Sequence, residues 1–434
     1  MEYLSTRQHA PAVTVGPAIA AGLAPDGGLY VPEHMPQVDP AAFDADAPLA
    51  VLATQLIAPF FADDPLADAL PDICAEAFTF PAPTTALPWA DADLLELFHG
   101  PTAAFKDFGA RFLAACVRRL NADAAHPLTV LVATSGDTGA AVASAFHNAP
   151  GIEVVIVYPD GRVSPRQAHQ LGCFGNNVRT YRVDGGFDAC QQLVKQALAD
   201  NALKTATPLT SANSISLGRL LPQMSYYAQT ALRHQRATGK KANFIIPTGN
   251  LGNALACVWA RAMGLPIDAI HLASNANRTL PDYFAGNAYR ARPGVATIAN
   301  AMDIGAPSNF ERLRWLWQGD DAALQQAFQA GSVDDASIRT TISELAHTHD
   351  LVVCPHTATA MTELSRQRQR GDTRHWIVVS TAHPAKFEQT VEPLVGHAVA
   401  VPPALAALLE RSSQARPLSA DYAALRDELA GVAA

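Results

Sequence analysis

Two hydrophobic patterns alternate along the middle of the chain. Continuous apolar runs at Leu128–Ala133 (LTVLVA), 152–158 (IEVVIVY), 243–247 (NFIIP), 267–273 and 376–380 (WIVVS) read as strands covered on both faces. Between them lie stretches with helical spacing, such as 107–120, 139–147 and 253–263, many of them alanine-rich. Strand followed by helix, repeated, predicts an α/β fold with doubly wound parallel sheets. The units at 128–147 and 243–263 are alike in plan and argue for two α/β lobes. Residues 1–85 read as a mainly helical N-terminal domain and 86–400 as the two-lobed region, its smaller lobe spanning about 120–200. The segment 401–434 reads as a helical tail, and 211–234 as one long helix after a polar loop. Ser164 followed by Pro165 predicts a capped helix start.

Composition adds limits. Of 434 residues, 49% are apolar and 16% charged, which suits a globular chain with a sizeable core. A net charge of -9 argues against nucleic acid or an anionic membrane as a partner. A bound anion must therefore be held by local groups. The six cysteines form no C-x-x-C pair and read as reduced, buried hydrophobes. The histidines show no metal-binding spacing, so no metal is expected. The N-terminal segment lacks the apolar core of a signal peptide, and no run reaches membrane-spanning length. The expectation is a cytoplasmic protein.

The candidate chemistry centres on LFHGPTAAFKDFGARF, 97–112. Gly100, Pro101 and Thr102 make a turn, and a helix begins near Lys106. This lysine stands between Phe105 and Phe108. Aromatic surroundings disfavour the ammonium form and lower the pKa, and a neutral lysine amine is a nucleophile suited to a Schiff base. Taken alone, the residue reads rather as a lysine snorkelling from a half-buried helix start; the rest of the chain overturns that reading.

Two glycine-containing loops follow buried strands and open helices. In TGNLGN, 248–253, Gly249 and Gly252 let backbone amides turn inward at a helix N-terminus, where Asn250 and Asn253 can donate further bonds to an anion. The alternative is a tight turn that binds nothing. In TSGDTG, 134–139, Ser135 and Thr138 with their amides form a second anion cradle. Asp137 repels an anion there and is suited to accept from a hydroxyl or an ammonium, or else to cap the helix. Both loops lie at the carboxyl ends of strands, where open α/β sheets place ligands. A lysine, a phosphate cup and a carboxylate site together suggest pyridoxal phosphate acting on an amino acid. Thr381, at the tip of strand 376–380, is placed to face the ring nitrogen, or else to cap the segment after it.

HGPTAAFKDF, TSGDTG, SANSI with GRLLPQ, PTGNLGN and STAHPAKF, in this order, resemble the threonine synthase family. The N-terminal STR and GLAPDGGLYVP stretches resemble it too. The resemblance implies the tryptophan-synthase β-like fold, type II of the pyridoxal phosphate enzymes. It implies that Lys106 carries pyridoxal 5'-phosphate, that Gly249, Asn250, Leu251, Gly252 and Asn253 cup its phosphate, and that Thr381 faces its ring nitrogen. It further implies a reaction of O-phospho-L-homoserine and water giving L-threonine and phosphate. Substrate contacts then fall to Ser135, Asp137, Thr138, Asn213 and Arg219, with Arg219 on the phosphate. Asp137 replaces an asparagine of sulfhydrylase relatives, and Asn213-Ser214-Ile215-Ser216-Leu217 departs from the family's NSINW. Two other readings stay open: a related lyase acting on serine-type substrates, and a binding protein without catalysis. A cofactor absorption band lost to hydroxylamine excludes the second.

Overall fold

The apolar runs form two sheets. The structure, a computed structural model, describes residues 1–124 and 126–431. Its strands in chain order are β1 (Tyr3–Ser5), β2 (Tyr30–Pro32), β3 (Thr84–Leu87), β4 (Ala92–Glu96), β5 (Leu128–Ala133), β6 (Ile152–Pro159), β7 (Val178–Val183), β8 (Leu209–Ser211), β9 (Ala242–Pro247), β10 (Ile267–Ser274), β11 (Gln329–Ser332), β12 (Trp376–Ser380) and β13 (Arg416–Leu418). The larger sheet has the order β11-β10-β9-β12-β4-β3 and is parallel except for the β3–β4 edge. The smaller, β13-β7-β6-β5-β8, is parallel throughout.

Each sheet is covered on both faces. Along β9, Phe244 and Ile246 join one core while Ile245 joins another; Ile377 and Val379 of β12 part from Val378 in the same way. In the smaller sheet, Val130 and Val132 face the first core, and Leu131 and Ala133 a third. Period-2 alternation within runs that are apolar throughout is what a sheet between two helical layers requires.

The N-terminal segment is mainly helical, but it has no core of its own. Tyr3, Ile19, Leu52 and Phe60 share the core that Phe244 and Val132 enter. The C-terminal tail is not all helix, because β13 adds to the edge of the smaller sheet beside β7. Residues 211–234 are also broken. A short helix, Leu217–Leu220, passes through a 3-10 turn containing Pro222 into the helix Met224–Thr238. Proline lacks the N–H that an α-helix donates to the preceding turn, and the chain tightens to 3-10 geometry around Pro222.

The Lys106–Leu120 helix is anchored by its aromatics. Phe108 packs on Phe78, Phe80 and Tyr226, and Phe112 meets Phe61 edge-on. Truncating either phenylalanine to alanine costs roughly 3–5 kcal/mol. Phe108 thus points into the core. Only Phe105 lies over the Lys106 amine, 5.3 Å from Nζ to ring centre, in place of the aromatic pair the sequence suggests.

Candidate active site

Lys106 is the first residue of its helix, which starts without a side-chain cap at Phe105. The turn before it is fixed by Asp107, whose carboxylate accepts from the Thr102 amide (2.9 Å) and hydroxyl (2.6 Å). Gly100 is required beside it, since a Cβ there would come within 2.4 Å of Asp107 Oδ2. Burial pushes the Asp107 carboxyl up to about 6 against the pull of these bonds. Burial likewise lowers Lys106 to about 8; Asp137 opposes this, and Arg219 and Lys386 add to it.

The lysine faces a cavity of about 170 Å³ where the two sheets' strand ends meet. All the residues singled out in the sequence line it: Lys106; Ser135, Asp137 and Thr138; Asn213 and Arg219; Gly249, Asn250, Leu251, Gly252 and Asn253; and Thr381. They come from the loops after β4, β5, β8, β9 and β12, so several strand ends converge as the open-sheet rule requires.

The loop after β9 turns into its helix at a residue that is not glycine. Leu251 takes the left-handed backbone (φ 63°), while neither Gly249 nor Gly252 has a positive φ. Gly249 is needed for space: a Cβ on it would lie 2.7 Å from Met302 Cα. The Gly252–Ala262 helix begins here, and its first amides have no acceptor within the helix. Asn250 has one of its two amide N–H donors taken. Its Nδ2 bonds Ser214 Oγ (2.5 Å), and its Oδ1 accepts from the Ser308 amide (2.5 Å). Asn253 is half free: Tyr226 and Tyr227 hydroxyls donate to its Oδ1 (2.5 and 3.0 Å), leaving Nδ2 buried without a partner. An orphaned buried donor beside open helix amides fits a phosphate.

In the loop after β5 the helix N-cap is Gly136, and the hydroxyl of Thr134 before it accepts from the Gly136 and Gly139 amides (3.0 and 2.9 Å). Gly136 has φ 126°, and a Cβ on it would strike the Gln167 side chain at 2.7 Å. Asp137 is therefore not the cap. Its Oδ1 accepts from Lys386 Nζ (2.9 Å) and Gln167 Nε2 (3.0 Å), an ammonium among them. Burial alone would raise its carboxyl; the charges of Lys386 and then Lys106, with the Lys386 hydrogen bond, outweigh this and hold it well below the usual range. Thr381 is not a cap either, for His383 fills that role by accepting from the Ala385 amide.

Arg219 is 2% exposed and has no ion-pair partner among the described residues. One Nη donates to the Ala212 carbonyl (2.7 Å), while Nε is buried without an acceptor. Burial lowers its pKa to about 10. Beside it, Asn213 Oδ1 is also an unpartnered buried atom.

Sequence reasoning passed over Lys386, Gln167, Asn300 and His356. The last lines the cavity, accepts from the Ala301 amide at Nε2 (3.1 Å) and is held neutral by burial, at about 4. Lys386 lies inside the motif STAHPAKF and was legible as a second lysine, but nothing in its spacing marks it as buried. At the opposite ends of the strands Asp93, His234 and His375 come together. His375 stands between Asp93 (3.1 Å) and Asp91 (3.3 Å), whose hydrogen bonds raise its pKa.

Comparison with known proteins decides the family. Residues 94–382 match the family described as pyridoxal-phosphate dependent enzyme, 2–78 the threonine synthase N terminus, and 357–428 the threonine synthase C-terminal family. Threonine synthase of Escherichia coli K12 is 37% identical over 431 residues, covering 98% of each chain. The chain belongs to the threonine synthase family. The crystal structure of the Escherichia coli threonine synthase superposes with a TM-score of 0.89 at 35% identity, covering 99% of this chain and 100% of that one. A pyridoxal-phosphate-bound threonine synthase from Brucella melitensis gives 0.89 at 32% identity, covering 100% and 99%. The threonine synthase fold, type II of the pyridoxal phosphate enzymes, is thus the fold of this chain. The lysine, the helix-start amides with the orphaned Asn253 donor, and Thr381, whose hydroxyl makes no hydrogen bond among the described residues, all line the cavity and fit such a cofactor. No helix is long and apolar enough to cross a membrane among the described residues.

Proposed function

We propose that the chain converts O-phospho-L-homoserine and water to L-threonine and inorganic phosphate, with Lys106, the 249–253 cup, Thr381 and Arg219 in the roles argued below. The observation that carries the substrate is Arg219. A buried guanidinium with no carboxylate bonded to it among the described residues, Asp107 acting on it only from a distance, its Nε unpaired and its side chain lining the Lys106 cavity, calls for an anion brought by a ligand. The cup after β9 takes one phosphate, and Arg219 takes another, to which Asn213 can add only its amide N–H donors.

Pyridoxal phosphate, when bound, supplies an aldehyde for the lysine and the substrate amine and a ring that stores an electron pair. Lys106 anchors it, and the amides of 249–253 with Asn253 Nδ2 hold its phosphate. Thr381 offers a hydroxyl to the ring nitrogen; unlike a carboxylate, it does not fix a proton there. Lys106, with an amine near 8, holds and moves the proton at the substrate's Cα and Cβ. His356, held neutral by burial, accepts the Ala301 amide at Nε2 and so keeps its ring proton on Nδ1. Ser135, Thr138 and the amides at the start of the Asp137–Phe146 helix bind the substrate carboxylate. Arg219 holds the phosphate group, which leaves from Cγ; a proton taken from Cβ is matched by one delivered to Cγ, which becomes the methyl group, and water adds its hydroxyl at Cβ and a proton at Cα. Six free, buried cysteines support a reducing, cytoplasmic setting.

Product analysis tests the reading. With phosphohomoserine the protein should release threonine and phosphate in equal amounts and leave serine unchanged. Faster turnover of serine to a keto acid would favour the related lyase.

A further inference from the structure

Lys386 is a second fully buried lysine next to the site, and it does not line the cavity. It sits in the 3-10 turn Pro384–Phe387, four residues beyond β12. The turn is bound to the smaller lobe: Ser164 Oγ donates to the Lys386 carbonyl (2.6 Å) and Arg166 to the Ala385 carbonyl (2.7 Å). From there Nζ reaches two acceptors, the Thr102 carbonyl in the turn before Lys106 (2.7 Å) and Asp137 Oδ1 (2.9 Å).

Asp137 is held from a second side. Gln167 Nε2 donates to the same Oδ1, while Gln167 Oε1 accepts from Ser164 N and from Asn300 Nδ2 (3.1 Å each). Both bonds go to Oδ1, so Oδ2 accepts none among the described residues, in a side chain that lines the Lys106 cavity. An ion pair this deeply buried adds little stability over an apolar pair of the same shape. Its placement one carboxylate away from the reactive lysine is what needs explaining.

We propose that Lys386 is a positioning residue: acting through Asp137, it fixes a buried carboxylate beside Lys106 and so governs whether the Lys106 amine keeps its proton. The inference rests on Lys106 being the cofactor-bearing lysine. The charged groups bearing on Lys106 are Asp137, which favours its ammonium, and Arg219 and Lys386, which oppose it. Those bearing on Asp137 are Lys386, Lys106 and His356, the last kept neutral. Asp107, Thr102's partner, bears on Arg219. Removing Lys386 alone frees Asp137 to favour a protonated Lys106. Neutralising both partners removes the stronger of the two opposing influences, the carboxylate, and favours the neutral amine.

The test uses the full chain stripped of cofactor. Lys106 is trace-labelled by reductive methylation from pH 6 to 10 and quantified by peptide mass spectrometry in the parent, in Lys386→Met, and in Asp137→Asn/Lys386→Met. The midpoint of Lys106 reactivity should move up by roughly one pH unit in Lys386→Met and down in the double variant. Two profiles coinciding with the parent's would overturn the proposal and leave the pair a structural contact. If Lys386→Met does not fold, the neutral double variant still decides, because a downward shift is required of it and an unmoved midpoint contradicts the proposal. Borohydride reduction of the parent with cofactor bound separates the two failures. A pyridoxyl label on another lysine sinks the role of Lys106, whereas an unmoved midpoint with Lys106 labelled sinks only that of Lys386.

Discussion

The Arg219 backbone and guanidinium lie against Gly109 so closely that a Cβ built on Gly109 would stand 2.8 Å from the Arg219 carbonyl oxygen and 3.0 Å from its Nε. Gly109 is one turn after Lys106 on the same helix. The lysine and the arginine therefore share a face only because this position has no side chain. Gly109→Ala should gain up to ~1 kcal/mol of helix propensity and lose roughly 1–3 kcal/mol to overpacking. The melting temperature should fall, with phosphohomoserine turnover weakened more than cofactor binding. Calorimetry and steady-state kinetics on the same sample check this.

Arg219→Ala should raise KM for phosphohomoserine and lower kcat/KM by about a hundredfold, roughly 2–3 kcal/mol for a desolvated charge contact. The cofactor absorption band should not change. Turnover equal to the parent's would rule Arg219 out as the phosphate clamp.

Gly249 and Gly252 should respond differently to substitution. Gly249→Ala drives a methyl into the Met302 backbone and should disorder the cup. At Gly252 a Cβ meets nothing nearer than 3.6 Å, so Gly252→Asp should fold as the parent does. Its carboxylate would nevertheless stand at a helix N-terminus that awaits an anion, and cofactor affinity should drop. Equilibrium dialysis reads the affinity. Unchanged binding would place the cup elsewhere.

Much of this site was legible because its chemistry is written in short motifs at strand ends. Lys106, Thr381 and the 248–253 turn needed only the strand-then-helix pattern to be placed. What was hidden depends on contacts between distant segments. Nothing local tells Asn250 that Ser214 and Ser308 will bond its amide, or tells Leu251 to take the left-handed turn with Gly252 beside it. The Lys386–Asp137 pair joins positions 249 residues apart in sequence. The β13 edge strand was missed for a similar reason: ArgProLeu carries no strand signal until β7 offers it a partner.

The pH dependence of cofactor attachment follows from the buried amine. Lys106 is lowered from 10.5 to about 8, so its neutral, nucleophilic fraction rises tenfold per pH unit below that value and levels off above it. The rate of cofactor uptake by the stripped protein should climb from pH 6 to about 8 and then flatten. Stopped-flow absorbance reads this directly. A rise that continues undiminished to pH 10 would mean an unperturbed lysine.

The central claim is elimination of phosphate from Cγ followed by addition of water at Cβ. Turnover of phosphohomoserine in ¹⁸O-labelled water, with both products analysed by mass spectrometry, tests it most directly. The account predicts one ¹⁸O in the threonine hydroxyl and none in the released phosphate, because the C–O bond breaks. Label in the phosphate with homoserine as the other product would mean simple phosphate-ester hydrolysis and would contradict it.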